Sequence, residues 1–127
     1  MRRILALMGT LFCLILVACG EDQVLCPPIA SQAVAVDVRD SLTDGPVVSA
    51  ARGAVFLAGI LDDSLRRDRV FSLFPDSVLV GGKSEGQVEV RVEHPDYLPW
   101  TTSVQTHLSG GECPTWETQP LTARLQQ

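Results

Sequence analysis

Two stretches of this chain alternate strictly between apolar and polar positions. Over Ala33–Arg39, Val34, Val36 and Val38 fall on one side and Ala35, Asp37 and Arg39 on the other; over Gln87–Glu93, Val88, Val90 and Val92 alternate with Glu89, Arg91 and Glu93. β-branched residues at every second position suit a pleated surface with one wet face, so both stretches predict strands. Weaker signals predict extended chain over Val47–Leu57 with a break or bulge near Gly53, over Val70–Leu73 and Val78–Val80, and over Trp100–Leu108. A final strand is expected within Trp116–Leu125, with Leu121, Ala123 and Leu125 sharing a face. Turn chemistry separates them: Asp44-Gly45-Pro46, Gly81-Gly82-Lys83-Ser84, Pro95 and Ser109-Gly110-Gly111. The very polar Asp62–Arg69 predicts a surface loop. No run of ten residues carries the helical period, so the pattern predicts an all-β sandwich or small barrel.

The first residues obey a different rule. Arg2 and Arg3 precede an apolar run, Ile4–Val17, which ends at Ala18-Cys19 and is followed by the polar Gly20-Glu21-Asp22. The run is shorter than the ~20 residues a membrane-spanning helix needs and suits the core of an export signal. Leu16-Val17-Ala18-Cys19 resembles the lipobox of bacterial lipoprotein signal peptides. That resemblance implies removal of residues 1–18, lipidation of Cys19, a tether over 19–25 and a single domain over 26–127. It further implies a protein of the cell envelope, facing the periplasm and held to the membrane by its lipid, with Gly20 after the cysteine favouring the outer over the inner membrane of a diderm host.

Charge and cysteines narrow the chemistry. The 127-residue chain has a net charge of -5 and a single lysine, Lys83. A nucleic-acid partner requires a basic footprint, which this composition excludes. Of four cysteines, Cys13 would leave with the signal and Cys19 would carry lipid. Cys26 and Cys113 remain to form one disulfide in an oxidising compartment. Neither has the Cys-x-x-Cys spacing or activating neighbour of a redox thiol.

His94-Pro95-Asp96-Tyr97-Leu98-Pro99-Trp100 resembles the Pro-Gly-Tyr-x-Pro-Trp segment of carboxypeptidase regulatory-like domains, which are transthyretin-like (prealbumin-like). Ala33–Asp40 with the turn through Gly45-Pro46 resembles the same family's first strand and hairpin, and the late cysteine before Leu121–Leu125 resembles its small lipoprotein members. The resemblance implies a seven-stranded Greek-key sandwich, transthyretin-like or immunoglobulin-like, and a non-catalytic module. Asp96 stands where the family favours glycine and so implies a left-handed turn at some steric cost. The terminal Ala123-Arg124-Leu125-Gln126-Gln127 lacks the Tyr-Arg-Gly-Ser ending of hydroxyisourate hydrolases, so their activity is not implied.

Candidate sites are few. His94 and His107 are the only imidazoles and would approach each other if the strands around them pair as a hairpin, yet zinc needs three or four ligands. Asp62, Asp63 and Asp68 supply the oxygen chemistry of a calcium loop without its spacing, and Arg66, Arg67 and Arg69 neutralise them. Tyr97 and Trp100 read as core caps, the phenol bonded to backbone as in a tyrosine corner; the rival reading exposes Trp100 and Trp116 for a partner. Trp116, Tyr97, His94 and His107 are therefore the candidate binding residues. No catalytic motif and no cofactor motif occurs. The expected function is a lipid-anchored, non-catalytic module that binds or positions an envelope protein or other envelope component. The alternatives are a small ligand carrier or loop-built enzyme on the same scaffold, or a purely structural envelope protein.

Overall fold

The computed structural model describes residue 26 and residues 32–67 and 78–127. The export segment, Cys19, the tether over 19–25 and the expected strand at Val70–Leu73 lie outside the described residues. The described strands are β1 (Val34–Asp40), β2 (Arg52–Leu57), β3 (Ile60–Arg67), β4 (Val78–Gly81), β5 (Gly86–His94), β6 (Tyr97–Leu108), β7 (Trp116–Glu117) and β8 (Gln119–Leu125). They form one mixed eight-stranded sheet in the order β7-β6-β5-β2-β3-β4-β1-β8. All neighbours are antiparallel except β1 and β8, which run parallel over seven residue pairs. The sheet curls until β6 meets β8, where the Leu98 amide donates to the Gln126 carbonyl at 2.7 Å. The chain is thus all-β, as expected, but its strands make a continuous near-barrel, where seven strands in two sheets were anticipated.

The two alternating stretches become β1 and β5. Val34, Val36 and Val38 of β1 and Val88, Val90 and Val92 of β5 are buried, and they meet Val55, Leu65, Leu79, Ala123 and Leu125 in one core. Burying each such side chain contributes about 1.5–3 kcal/mol. Ala35 is not on a wet face as its alternation suggests: with Val78 and Val80 it forms a second, smaller buried cluster. Trp100 and Trp116 are both half-buried against the main core. Each therefore contributes to the core while keeping part of its surface exposed.

Four local expectations change. Asp62–Arg67 is not a loop: it belongs to β3, which pairs with β2 through Leu65 and with β4 from Arg66. Its polarity reflects a strand whose outer face is wet and whose carboxylates bond elsewhere, a tertiary effect that local composition does not carry. The bulge is not at Gly53 either. Gly53 pairs regularly with Leu65 and Val92, and an added Cβ there would lie 2.5 Å from Leu65 Cδ1, so the glycine is required by close packing. The irregularity falls where Val55 faces Asp63 and Phe56 faces Leu61, which leaves Asp62 as the extra residue. Before β2 the chain makes a 3₁₀ turn, Val48–Ala50, that buries Val48. Finally, the expected last strand divides at Thr118, β7 pairing with β6 and β8 with β1.

Register gives the near-barrel two ends. At the Tyr97 end lie the close of β1 at Asp40, the start of β2 at Arg52, the β5–β6 turn and the close of β8. At the Cys113 end lie the β2–β3 turn, the Gly82–Glu85 connection and the 109–115 loop.

Candidate functional site

At the Tyr97 end a single carboxylate organises two loops. Asp40 Oδ1 accepts the amides of Leu42 (2.7 Å) and Thr43 (2.9 Å), while its Oδ2 accepts the Tyr97 hydroxyl at 2.6 Å. The phenol donates to this carboxylate and not to backbone. The bond from Tyr97, joined by the two amides, holds the Asp40 carboxyl below its ordinary range, and the same carboxylate pushes the Tyr97 phenol up. The left-handed residue of the 40–46 turn is Asp44, at φ 60°. Arg39 donates to its carbonyl at 2.8 Å, and Arg124 pairs with its side chain. Asp40 thereby ties the turn after β1 to the β5–β6 turn, 57 residues later.

The β5–β6 turn is built from Pro95-Asp96 between the paired residues His94 and Tyr97. Asp96 does not adopt the anticipated left-handed conformation; among the described residues only Asp44 and Ala58 do so without being glycine. Instead the Asp96 amide donates to His94 Nδ1 at 3.1 Å, which leaves the ring proton on Nε2 in the neutral form. His94 meets the Tyr97 ring edge-on, centroids 4.8 Å apart. Pro95 fixes the backbone angle at the first turn position, so a compact turn forms without left-handed strain.

Beside this node opens a shallow cleft of about 560 Å³ lined by Ser49, Ala50, Ala51, Arg52, Glu93, His94 and Pro95. The 3₁₀ turn brings Ser49 to it, and the β2–β5 register sets Arg52 opposite Glu93. A guanidinium, a carboxylate, an imidazole and a hydroxyl thus share one open surface. The set can hydrogen-bond a polar ligand of either sign. No hydrogen bond joins Ser49 to His94 among the described residues, and Nδ1 is committed to the Asp96 amide. The nucleophile-and-base pairing that hydrolysis by a serine requires is therefore not assembled there. Sequence reasoning singled out His94 but missed Ser49 and Arg52, because the turn that delivers them looks like the start of a strand.

The other candidate residues are separated from this cleft. Strands 88–92 and 100–108 do pair as the anticipated hairpin, but His94 lies at its turn and His107 near its open end, opposite Glu117. Ten strand residues, roughly 33 Å, keep the imidazoles apart. Trp116 also lies at the Cys113 end, opposite Leu108. Asp62 and Asp63 bind the protein's own backbone: Asp63 Oδ2 accepts the Gly82 amide at 2.9 Å, and Asp62 Oδ2 accepts those of Lys83 and Ser84 at 2.8 and 3.1 Å. Consecutive strand residues ordinarily point to opposite faces; the bulge lets both carboxylates turn to one loop. Burial opposes ionisation of Asp62, but the Ser84 hydroxyl and the two amides outweigh it and hold the carboxyl below its ordinary range. Asp68 lies outside the described residues, and no group of three or more metal-binding side chains occurs among those described.

Cys26 and Cys113 form the expected disulfide, with Cα atoms 5.2 Å apart across 87 residues of chain. Cys113 sits in a loop cinched by the Ser109 amide to the Thr115 carbonyl at 2.8 Å and the Thr115 amide to the Ser109 hydroxyl at 3.0 Å. Buried Thr106 braces the same end, donating to the Ser84 carbonyl at 2.7 Å and accepting the Gly86 amide at 3.1 Å. The chain thus enters the near-barrel at the end opposite the cleft. Comparison with family models, curated proteins and solved structures yields no match to this chain.

Proposed function

We propose that this is a lipid-anchored, extracytoplasmic, non-catalytic module that uses its Tyr97 end to bind or position another component of the cell envelope. The observation that carries the reading is the separation of the two ends. The disulfide holds residue 26 at the Cys113 end, only seven residues after the lipobox cysteine, while the cleft opens at the other. Leu42 and Leu98 add apolar contact area beside Asp40 and Tyr97, being 86% and 59% exposed. An aliphatic pair next to a mixed-charge cleft suits a protein surface, which combines apolar anchors with polar groups that fix orientation.

Membership of the carboxypeptidase regulatory-like family is part of the proposal. Its support is that the two segments carrying the resemblance, Ala33–Asp40 with its turn through Pro46 and His94–Trp100, are joined by the Asp40–Tyr97 bond, and that Arg39 pairs with Pro46 to close the turn of the first. The seven-stranded sandwich belongs to the same proposal, with β2, β5 and β6 facing β1, β4 and β8 across the core, β3 linking β2 to β4, and the short β7 as an addition.

The test is photo-crosslinking in intact envelopes from position 42 of the full-length chain. Capture of one protein, lost on Arg52→Glu, supports the reading; no capture that depends on Arg52 overturns it. The ligand-carrier or enzyme alternative is favoured by one observation, the convergence of Ser49, Glu93 and His94 on the cleft. Ester or amide hydrolysis abolished by His94→Ala would establish that alternative.

A further inference from the structure

The β2–β3 hairpin ends in apolar residues that the fold does not bury. Ile60 is 73% and Leu61 56% exposed, and the turn before them is Ala58-Gly59. Both turn residues have positive φ, 50° and 78°, the two-residue geometry in which asparagine or aspartate ordinarily stands first. Alanine there accepts left-handed strain and adds no polar group to the tip. Immediately after Leu61, the Asp62 bulge commits two carboxylates to the Gly82–Ser84 backbone. The charges nearest in sequence are thus occupied by amides of the neighbouring connection.

The hairpin also lies at the Cys113 end, where residue 26 is clamped. Seven residues from Cys19 to Cys26 reach at most about 25 Å, so an acyl chain on Cys19 holds this end of the near-barrel close to a bilayer. Leu108, 37% exposed, belongs to the same end on the disulfide side. Ile60 and Leu61 occupy the other side, since β2 and β3 lie mid-sheet, across the near-barrel from the β6–β8 seam.

We infer that the Ala58–Leu61 tip is a second membrane contact, inserting its aliphatic side chains into the phospholipid interface beside the acyl anchor and so standing the near-barrel with its cleft away from the bilayer. The inference rests on the anchored reading above and adds an orientation to it. Apolar side chains gain free energy on entering the interface, and a protein contact set apart from the acyl anchor restricts rotation about the tether.

The experiment takes membranes containing the full-length chain, with a photo-crosslinking amino acid at position 60 or at position 42, and begins with the intact mass of the purified product. A mass with Cys19 acylated and residues 1–18 removed upholds the anchor; a mass without acylation overturns the anchor and the inference with it. Given acylation, lipid adducts several-fold more abundant from position 60 than from position 42 support the inference. Equal lipid adducts from both positions, none from either, or a protein adduct from position 60 overturn it while leaving the anchor standing. In a second measurement, Ile60→Asp with Leu61→Asp in a chain labelled at position 42 should raise lipid contact there, since the near-barrel loses its preferred orientation; an unchanged value overturns the inference.

Discussion

The two ends of the near-barrel are held by different means. The Cys113 end is fixed covalently: a disulfide spans 87 residues, and the Asp62, Asp63 and Thr106 side chains satisfy the amides of the adjoining connections. The Tyr97 end is fixed by charge-assisted hydrogen bonds to Asp40 from the Leu42 and Thr43 amides and the Tyr97 hydroxyl. A covalent clamp is indifferent to pH and sensitive to reductant, whereas a carboxylate node is the reverse. The contrast places the covalent clamp at residue 26 and the Asp40 node beside the cleft, with Asp62 giving the clamped end a smaller acid-sensitive contribution of its own.

The largest test of that contrast is removal of the clamp. Cys26→Ser with Cys113→Ser should lower unfolding free energy by about 4–5 kcal/mol, the chain-entropy value for a loop of this length, read by urea denaturation; an equal loss in wild type under reductant confirms the cause. Next is the packing between the ends. Gly53→Ala drives a methyl against Leu65 and should cost about 1–3 kcal/mol in the same assay. If Gly53 were merely a flexible bulge, that substitution would be harmless.

The node is tested by pH. Asp40 and Asp62 titrate lower folded than unfolded, so their contribution is fully present above the ordinary value of 3.8 and is lost as pH falls through the folded values. Tyr97 titrates higher when folded, so its contribution is complete below 10.0 and is lost as pH rises beyond. Tyr97→Phe should remove the alkaline loss and reduce the acidic one, whereas Asp62→Asn should alter the acidic limb alone. Thermal melts across both limbs read this, and identical profiles for the two variants would sink the distinction between the ends. The smallest effect should come from the hairpin turn: Ala58→Asn relieves left-handed strain and should stabilise by up to roughly 1 kcal/mol.

Much of this architecture was legible in the pattern of side chains. β1 and β5 alternate so regularly that their buried faces follow from period two, and the Cys26–Cys113 pairing follows once Cys13 and Cys19 are assigned elsewhere. What stayed hidden depends on partners distant in sequence. β3 reads as a loop because its aspartates find their amides about twenty residues away, at Gly82–Ser84. Asp40 reads as a turn residue because Tyr97, which gives it its role, is 57 positions on. The cleft was half visible: His94 and its turn are marked by Pro95, but the 3₁₀ turn carrying Ser49 has no signature among alanines and valines. The separation of the two histidines was equally hidden, because a hairpin predicts which strands pair without predicting at which end each imidazole falls.

The parallel pairing of β1 with β8 bears on biogenesis. The opening strand's partner over all seven of its residues is synthesised after every other strand of the near-barrel, so the sheet cannot close during most of translation. Such non-local contacts form slowly. A polypeptide built this way stays open, and so able to pass a narrow channel, until its last strand has been made.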